Sequence, residues 1–416
     1  MTEPRASEAA PSASDRAFFG HPLGLATLFF TELWERFSYY GMRGILVLYM
    51  TDTVRNGMGM GAQQASAIYG LYTFGVYALA LPGGWMADKM LGQRLAVLYG
   101  GIIIALGHFT MAVPNDMAFY LGMFLIVLGT GLLKPNVSSV VGDLYPEGGA
   151  RRDAGFSIFY MGINIGALAG PLVCGYLGEN VDWHLGFGAA GVGMTLGLIS
   201  YVFGMKKMVG AGELKGDAAH PDSVKRATRQ FFTGVAVVVA LTVAIVALSN
   251  FGVLPLTLVG FAQSTGVIVL LLAIAYFLYI GLVACKDSVE RARIGVIFLL
   301  FLGAAMFWSG FEQAGSSMNL FAENHTDRIV ADWAVFDLLG GAEDTSWWYL
   351  LGFGVVLLGV LLYRIVRFAD LAPARVKLLN RILAAGVLVC VIWATQVLDP
   401  GSEAPTSWLQ SINPFF

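Results

Sequence analysis

Charge is what this chain has least of: 13% of its 416 residues are charged, against 57% that are hydrophobic. A soluble surface is built with roughly a quarter charged residues, so composition excludes a water-facing globular domain and fits a bilayer as solvent. Cysteine is scarce too. Cys174, Cys285 and Cys390 stand far apart in or beside apolar stretches, which argues against a disulfide framework or a metal cluster. There is no HExxH sequence, and His108 and His184 stand singly, so neither a zinc hydrolase nor nucleophile–base catalysis finds its residues here. No enzyme activity, metal, cofactor or nucleic-acid partner is expected. The first eighteen residues are polar and rich in Ala, Ser and Pro. They lack the apolar core of a signal peptide and read as a disordered tail.

What the chain has in quantity is apolar runs of about the 20 residues that a helix needs to cross hydrocarbon. Runs near 24–50, 66–86, 95–113, 118–138, 155–178 and 185–205 predict six helices, and runs near 231–249, 264–285, 294–321, 347–366 and 382–398 bring the expectation to eleven. Lys and Arg in short loops gather on the cytoplasmic side of a membrane. With a cytoplasmic N-terminus, twenty of the 25 basic residues fall on the inner side and two, Arg55 and Arg328, on the outer, while Arg36, Arg43 and Lys134 lie within helices. The expected location is a multi-pass protein of the cell inner membrane. The polar stretch 209–230 reads as a cytoplasmic linker behind a first six-helix unit.

Ionisable groups within a bilayer are costly, so they are functional candidates by default. In TELWERFSYYGMRG, residues Glu32, Arg36, Tyr39 and Arg43 recur at helical spacing and form one polar stripe, flanked by Glu35 and Tyr40. The plain alternative is an i,i+4 pair of Glu32 with Arg36 that neutralises itself. Lys134 precedes Pro135, which can kink or end its helix; a lysine snorkelling from a helix end is the bland reading there. Glu312, in MFWSGFEQAGSSMNLF, has no cation within a turn, so its partner must come from another helix, with Arg43 and Lys134 available. A carboxylate that can exchange a cation for a proton is a plausible coupling group.

The turn GGWMADKMLGQR, with Gly83, Gly84, Asp88, Gly92 and Arg94, resembles the cytoplasmic loop signature of the major facilitator superfamily. TELWERFSYYGMR resembles the ExxER signature of the proton-coupled oligopeptide transporters within it. GTGLLKPNVSSVVGDLY, FSIFYMGINIGALAGP and FWSGFEQAGSSMNLFAENHTDR are similar to further segments of that family, in the same order. The resemblance implies an all-α membrane protein with a facilitator-type helical bundle and symport of di- and tripeptides with protons. It implies that Arg36 and Lys134 hold the peptide carboxylate, Asn164 helps hold the amino end, and Tyr39, Tyr40 and Tyr72 line the pocket. Glu32, Glu35 and Glu312 would couple protons, and Arg43 with Glu312 would form a gating ion pair. A monomer in a lipid bilayer is expected, with small peptides and protons as partners.

Along the chain the family pattern implies a tail over 1–20, a six-helix bundle over 21–208, the linker, an extra helix pair over 231–286 and the seventh family helix over 287–328. The apolar hairpin within 329–402 departs from that pattern. Residues 403–416, including PTSWLQSINPFF, resemble the start of the eighth family helix. Helices eight to twelve are therefore expected to be absent and the second bundle incomplete. Alternatives are a transport-inactive truncated form, a non-transporting membrane scaffold, or a symporter of another small solute such as nitrate.

Overall fold

The computed structural model describes residues 18–208, 210–214, 216–253, 257–328 and 403–411. Over these residues the chain is an all-α multi-pass membrane protein. Helix α1 (Leu23–Thr51) is followed by α2 (Ala62–Ala78) and α3 (Ala80–Met86), then by α4 (Gln93–Met111), α5 (Asp116–Asp143), α6 (Gly149–Tyr176) and α7 (Trp183–Gly204). Next come α8 (Pro221–Asn250), α9 (Leu258–Tyr279), α10 (Ser288–Phe311) and α11 (Ser317–His325). Eight helical segments of the described residues are long and apolar enough to cross a membrane. The equally long α1 is set apart by its four charges. The expected hairpin helices at 347–366 and 382–398 lie outside the described residues.

α1 is the hub. Of its 29 residues 25 are buried, because α6, α7, α2 and α5 surround it. Its core divides into two layers. Near one end, Tyr49 packs edge-on against Phe187 at 5.4 Å and Trp183 at 6.1 Å, with Phe119 tilted at 5.1 Å. Near the other, Phe29, Val97, Val140, Met194 and Tyr201 close the bundle. By contrast, no residue of α9 or α10 is buried and α8 buries only Ala227. Helices that are apolar all round and yet exposed suit lipid contact.

Four boundaries differ from the sequence expectations. The linker ends early: α8 begins at Pro221, where proline is favoured at the first helical position and the His220 ring accepts from the Asp222 amide at 3.4 Å. Pro135 does not end its helix, since α5 runs on to Asp143. The Gly131 carbonyl that Pro135 leaves without an amide lies against Gly83, where a Cβ would approach within 2.0 Å, and Asn136 Nδ2 donates to Leu132 O at 2.7 Å. The run 294–321 is two helices, broken by a tight turn over Glu312–Gly315. The tail expected over 1–20 lies outside the described residues as far as 17, whereas Phe18 is 3% exposed and pairs its backbone with His21.

Candidate functional site

The stripe read from α1 is present and interior. Glu32, Glu35, Arg36, Tyr39 and Arg43 are all buried, with Tyr40 half-buried beside them. Arg36 Nε meets Glu32 Oε1 at 3.0 Å and also pairs with Glu35, so the self-neutralising i,i+4 pair exists within a larger triad. Two carboxylates on one guanidinium leave formal charge uncompensated inside the triad. The Tyr39 ring lies 5.2 Å from the Arg36 guanidinium. Arg36 Nη2, Glu32 Oε2 and the Tyr39 and Tyr72 hydroxyls are buried with no hydrogen-bond partner among the described residues. Unmet buried groups cost free energy, and a polar ligand that supplied their partners would recover it.

Two turns further along α1, Arg43 reaches a different helix. Its Nη2 lies 2.8 Å from Glu312 Oε2 and donates to the Glu312 carbonyl at 3.2 Å. The break after α10 makes the second contact possible, because a continuing helix would engage that carbonyl with its own amide. The Tyr69 hydroxyl donates to the same carbonyl at 3.3 Å. Gly315 closes the turn, where a Cβ would stand 2.8 Å from Arg43 Nε, so a larger residue there would push on the arginine side chain.

Lys134 sits within α5, well away from the helix ends, and forms no ion pair among the described residues. Its Nζ lies 4.2 Å from the centre of the Tyr77 ring, whose hydroxyl donates to Glu312 Oε1 at 3.2 Å. Tyr77 therefore stands between the lysine and the carboxylate. Neither Tyr69 nor Tyr77 was singled out from sequence. The signal was available: with Tyr72 they recur at helical spacing along YGLYTFGVY, on the face of α2 turned to the charges. Asn164 is exposed on α6, and its side chain makes no hydrogen bond among the described residues.

The glycine-rich turn does separate work. Gly92 ends its helix at φ 77, a conformation that favours glycine, and lets Arg94 turn towards the segment after α7. Arg94 Nη1 donates to Glu213 Oε1 at 2.8 Å and to Met208 O at 3.2 Å, and its amide donates to Gly212 O at 2.9 Å. The Gly212 amide in turn donates to Asp143 Oδ2 at 3.0 Å. Asp88 accepts from Gln93 Nε2 at 3.3 Å, and Gly84 leaves Pro135 at van der Waals distance. The loop thus straps α4, α5 and the segment after α7 together. Among the described residues no group of three or more His, Cys, Asp or Glu side chains is arranged to hold a metal.

The chain has relatives. The chain is 44% identical over 324 residues to the peptide transporter YePEPT of Yersinia enterocolitica, an alignment covering 76% of this chain and 63% of that protein. It is 38% identical over 362 residues to a di-/tripeptide transporter of Lactococcus lactis subsp. cremoris, covering 85% of this chain and 70% of that protein. The chain spans less than two thirds of the length of the Yersinia relative. The crystal structure of a peptide transporter POT in complex with sulfate matches with a TM-score of 0.69 and 34% identity, covering 96% of this chain and 94% of that one. The family model PTR2, described as the POT family, matches residues 94–337, more than half of the sequence. The chain belongs to the POT family.

Proposed function

We propose that this protein is a symporter that carries di- and tripeptides with protons across the cell inner membrane, as a monomer with a cytoplasmic N-terminus. It needs no cofactor and performs no chemistry on its cargo. One observation carries the reading: Arg43 and Glu312 join α1 to the helix after 288 at 2.8 Å, and Tyr77 links that pair to Lys134. A zwitterionic peptide needs a cationic pole for its carboxylate, which Arg36 and Lys134 supply, the planar guanidinium suiting a carboxylate. Tyr39, Tyr40 and Tyr72 line the pocket, and Asn164 on α6 meets the amino end. Glu32 and Glu35 accept protons within the triad. A proton on Glu312 releases Arg43 and lets the helix pair separate, so that alternation follows pH. The twenty-to-two distribution of basic residues supports the orientation, which puts Arg94 inside and Asp52 and Glu179 outside.

The test is uptake of a labelled dipeptide by proteoliposomes with and without an imposed proton gradient. Accumulation is expected only with the gradient. Lys134→Ala should weaken the dipeptide about tenfold, the worth of one charge-assisted contact, and its C-terminally amidated analogue far less. Accumulation indifferent to the gradient, equal loss for both ligands, or saturation by nitrate in place of peptide would overturn the reading.

A further inference from the structure

Another buried carboxylate lies away from the charged stripe. Glu179 is 5% exposed, although it follows the end of α6. Its position comes from a wide turn over Leu177–Val181, closed by the Asp182 amide donating to Leu177 O at 2.8 Å, which departs from α-helical pitch. Among the described residues the carboxylate has no cation within ion-pairing distance. Its partners among the described residues are donors on 403–411: the Thr406 amide at 2.7 Å to Oε2, and the Ser407 amide at 2.9 Å and hydroxyl at 2.6 Å to Oε1. Thr406 and Ser407 are fully buried.

The socket around this contact is built for close approach. A Cβ on Gly175 would stand 1.9 Å from the Ser407 hydroxyl, so α6 admits the serine only because residue 175 is glycine. Trp408 Nε1 donates to Leu172 O at 2.9 Å, the Ser411 hydroxyl to Leu168 O at 3.0 Å, and Gln410 Nε2 to Gly44 O of α1 at 3.4 Å. The Glu179 backbone carbonyl accepts from Arg55 Nη1 at 2.9 Å, and Arg55 also reaches Glu323 of α11 at 3.5 Å. One residue therefore connects the loop after α1, the end of α6 and the 403–411 segment, while α11 packs on that segment.

We propose that Glu179 is a positioning residue for alternation: its carboxylate docks the 403–411 segment, and α11 with it, onto the end of the six-helix unit and holds that end shut. This rests on the transport reading above, which places that end outside. A carboxylate suits the position because each of these three groups donates to it. Glutamine at 179 would turn an NH2 towards one of those donors, losing one hydrogen bond and adding a repulsion at nearly unchanged volume. The contact is short and local, so it can be made and broken as the end closes and opens.

The experiment uses the full chain in lipid nanodiscs with neither peptide nor proton gradient, so its outcome is independent of whether the chain transports peptide. Amide hydrogen exchange is followed in 403–411 and in α4 and α5. Spin labels at exposed Met117 and Met318, with Cys285 and Cys390 replaced by serine, report separation across the end of the bundle. Glu179→Gln should speed exchange in 403–411 about tenfold, the worth of one charge-assisted hydrogen bond, leave α4 and α5 unchanged, and add a longer label distance. Ser407→Ala removes one donor and is the milder variant, with about a threefold effect in the same direction. Combined with Glu179→Gln it should add little, since both act on one contact. Unchanged exchange in either variant would overturn the proposal. So would faster exchange with unchanged label distances, which would reduce Glu179 to a structural cap.

Discussion

The charges on α1 form two groups two turns apart, and they are compensated in opposite ways. Arg36 finds Glu32 and Glu35 on its own helix. Arg43 finds Glu312, reached only by crossing to the turn after α10. The first group lies within one helix, so its contacts do not report how two helices sit. The second exists only while α1 and that turn are together. Burial sharpens the difference: the Arg36 triad is almost wholly enclosed, whereas the Glu312 side chain is 21% exposed. A carboxylate with access to water is the better placed of the two to exchange a proton during a cycle.

The largest effect expected from breaking this comparison is at Arg36. Arg36→Ala leaves two adjacent buried carboxylates without their guanidinium and should cost about 3–5 kcal/mol of stability, seen as a lower unfolding temperature in detergent. Arg43→Ala and Glu312→Ala should each cost less, about 1–3 kcal/mol, because Glu312 is partly solvated. Their double variant should be less destabilised than the two singles added together, since removing both partners leaves no orphan charge. Additive losses would mean that the 2.8 Å contact contributes nothing as a pair.

The same contrast explains what could be read from the sequence. Helical spacing alone put Glu32, Arg36, Tyr39 and Arg43 on one face, and apolar runs placed the spans; both are local properties of the chain. From the residues alone Glu312 could be matched to Arg43 or Lys134 but not chosen between them, because the choice depends on a helix break that neither proline nor a paired glycine announces; the family resemblance named Arg43. Tyr77 was missed because a tyrosine in an apolar helix reads as core until a lysine and a carboxylate are found on either side of it. The start of α8 at Pro221 was missed because its first turns are polar and face the loop turn after α3 rather than an apolar neighbour. Asn164, carried over from the family pattern, lies exposed, and no local property of α6 marks it.

A smaller effect is expected at the opposite extreme, where a carboxylate is held by fixed hydrogen bonds at a helix end. Burial alone would raise Asp52, but the Trp183 indole and the Val54 and Arg55 amides outweigh it and hold the carboxyl below its ordinary value of 3.8. A depressed value in the folded state stabilises above the unfolded value and is lost as pH falls through the folded one. Asp52→Asn should therefore lower stability by about 1 kcal/mol at pH 7 and by less below pH 3, measured as the difference in unfolding temperature at the two pH values. An equal loss at both would show that the hydrogen bonds, and not the ionised form, account for the contribution.

The measurement that bears most directly on the two groups is gradient-driven uptake by Glu312→Gln, which keeps the shape of the side chain and removes its proton-dependent charge. If Arg43 and Glu312 are the pair that a proton opens, the variant should lose accumulation of labelled dipeptide under an imposed proton gradient while still exchanging peptide across the membrane without one. Accumulation equal to that of the parent would contradict this and move proton coupling to Glu32 and Glu35.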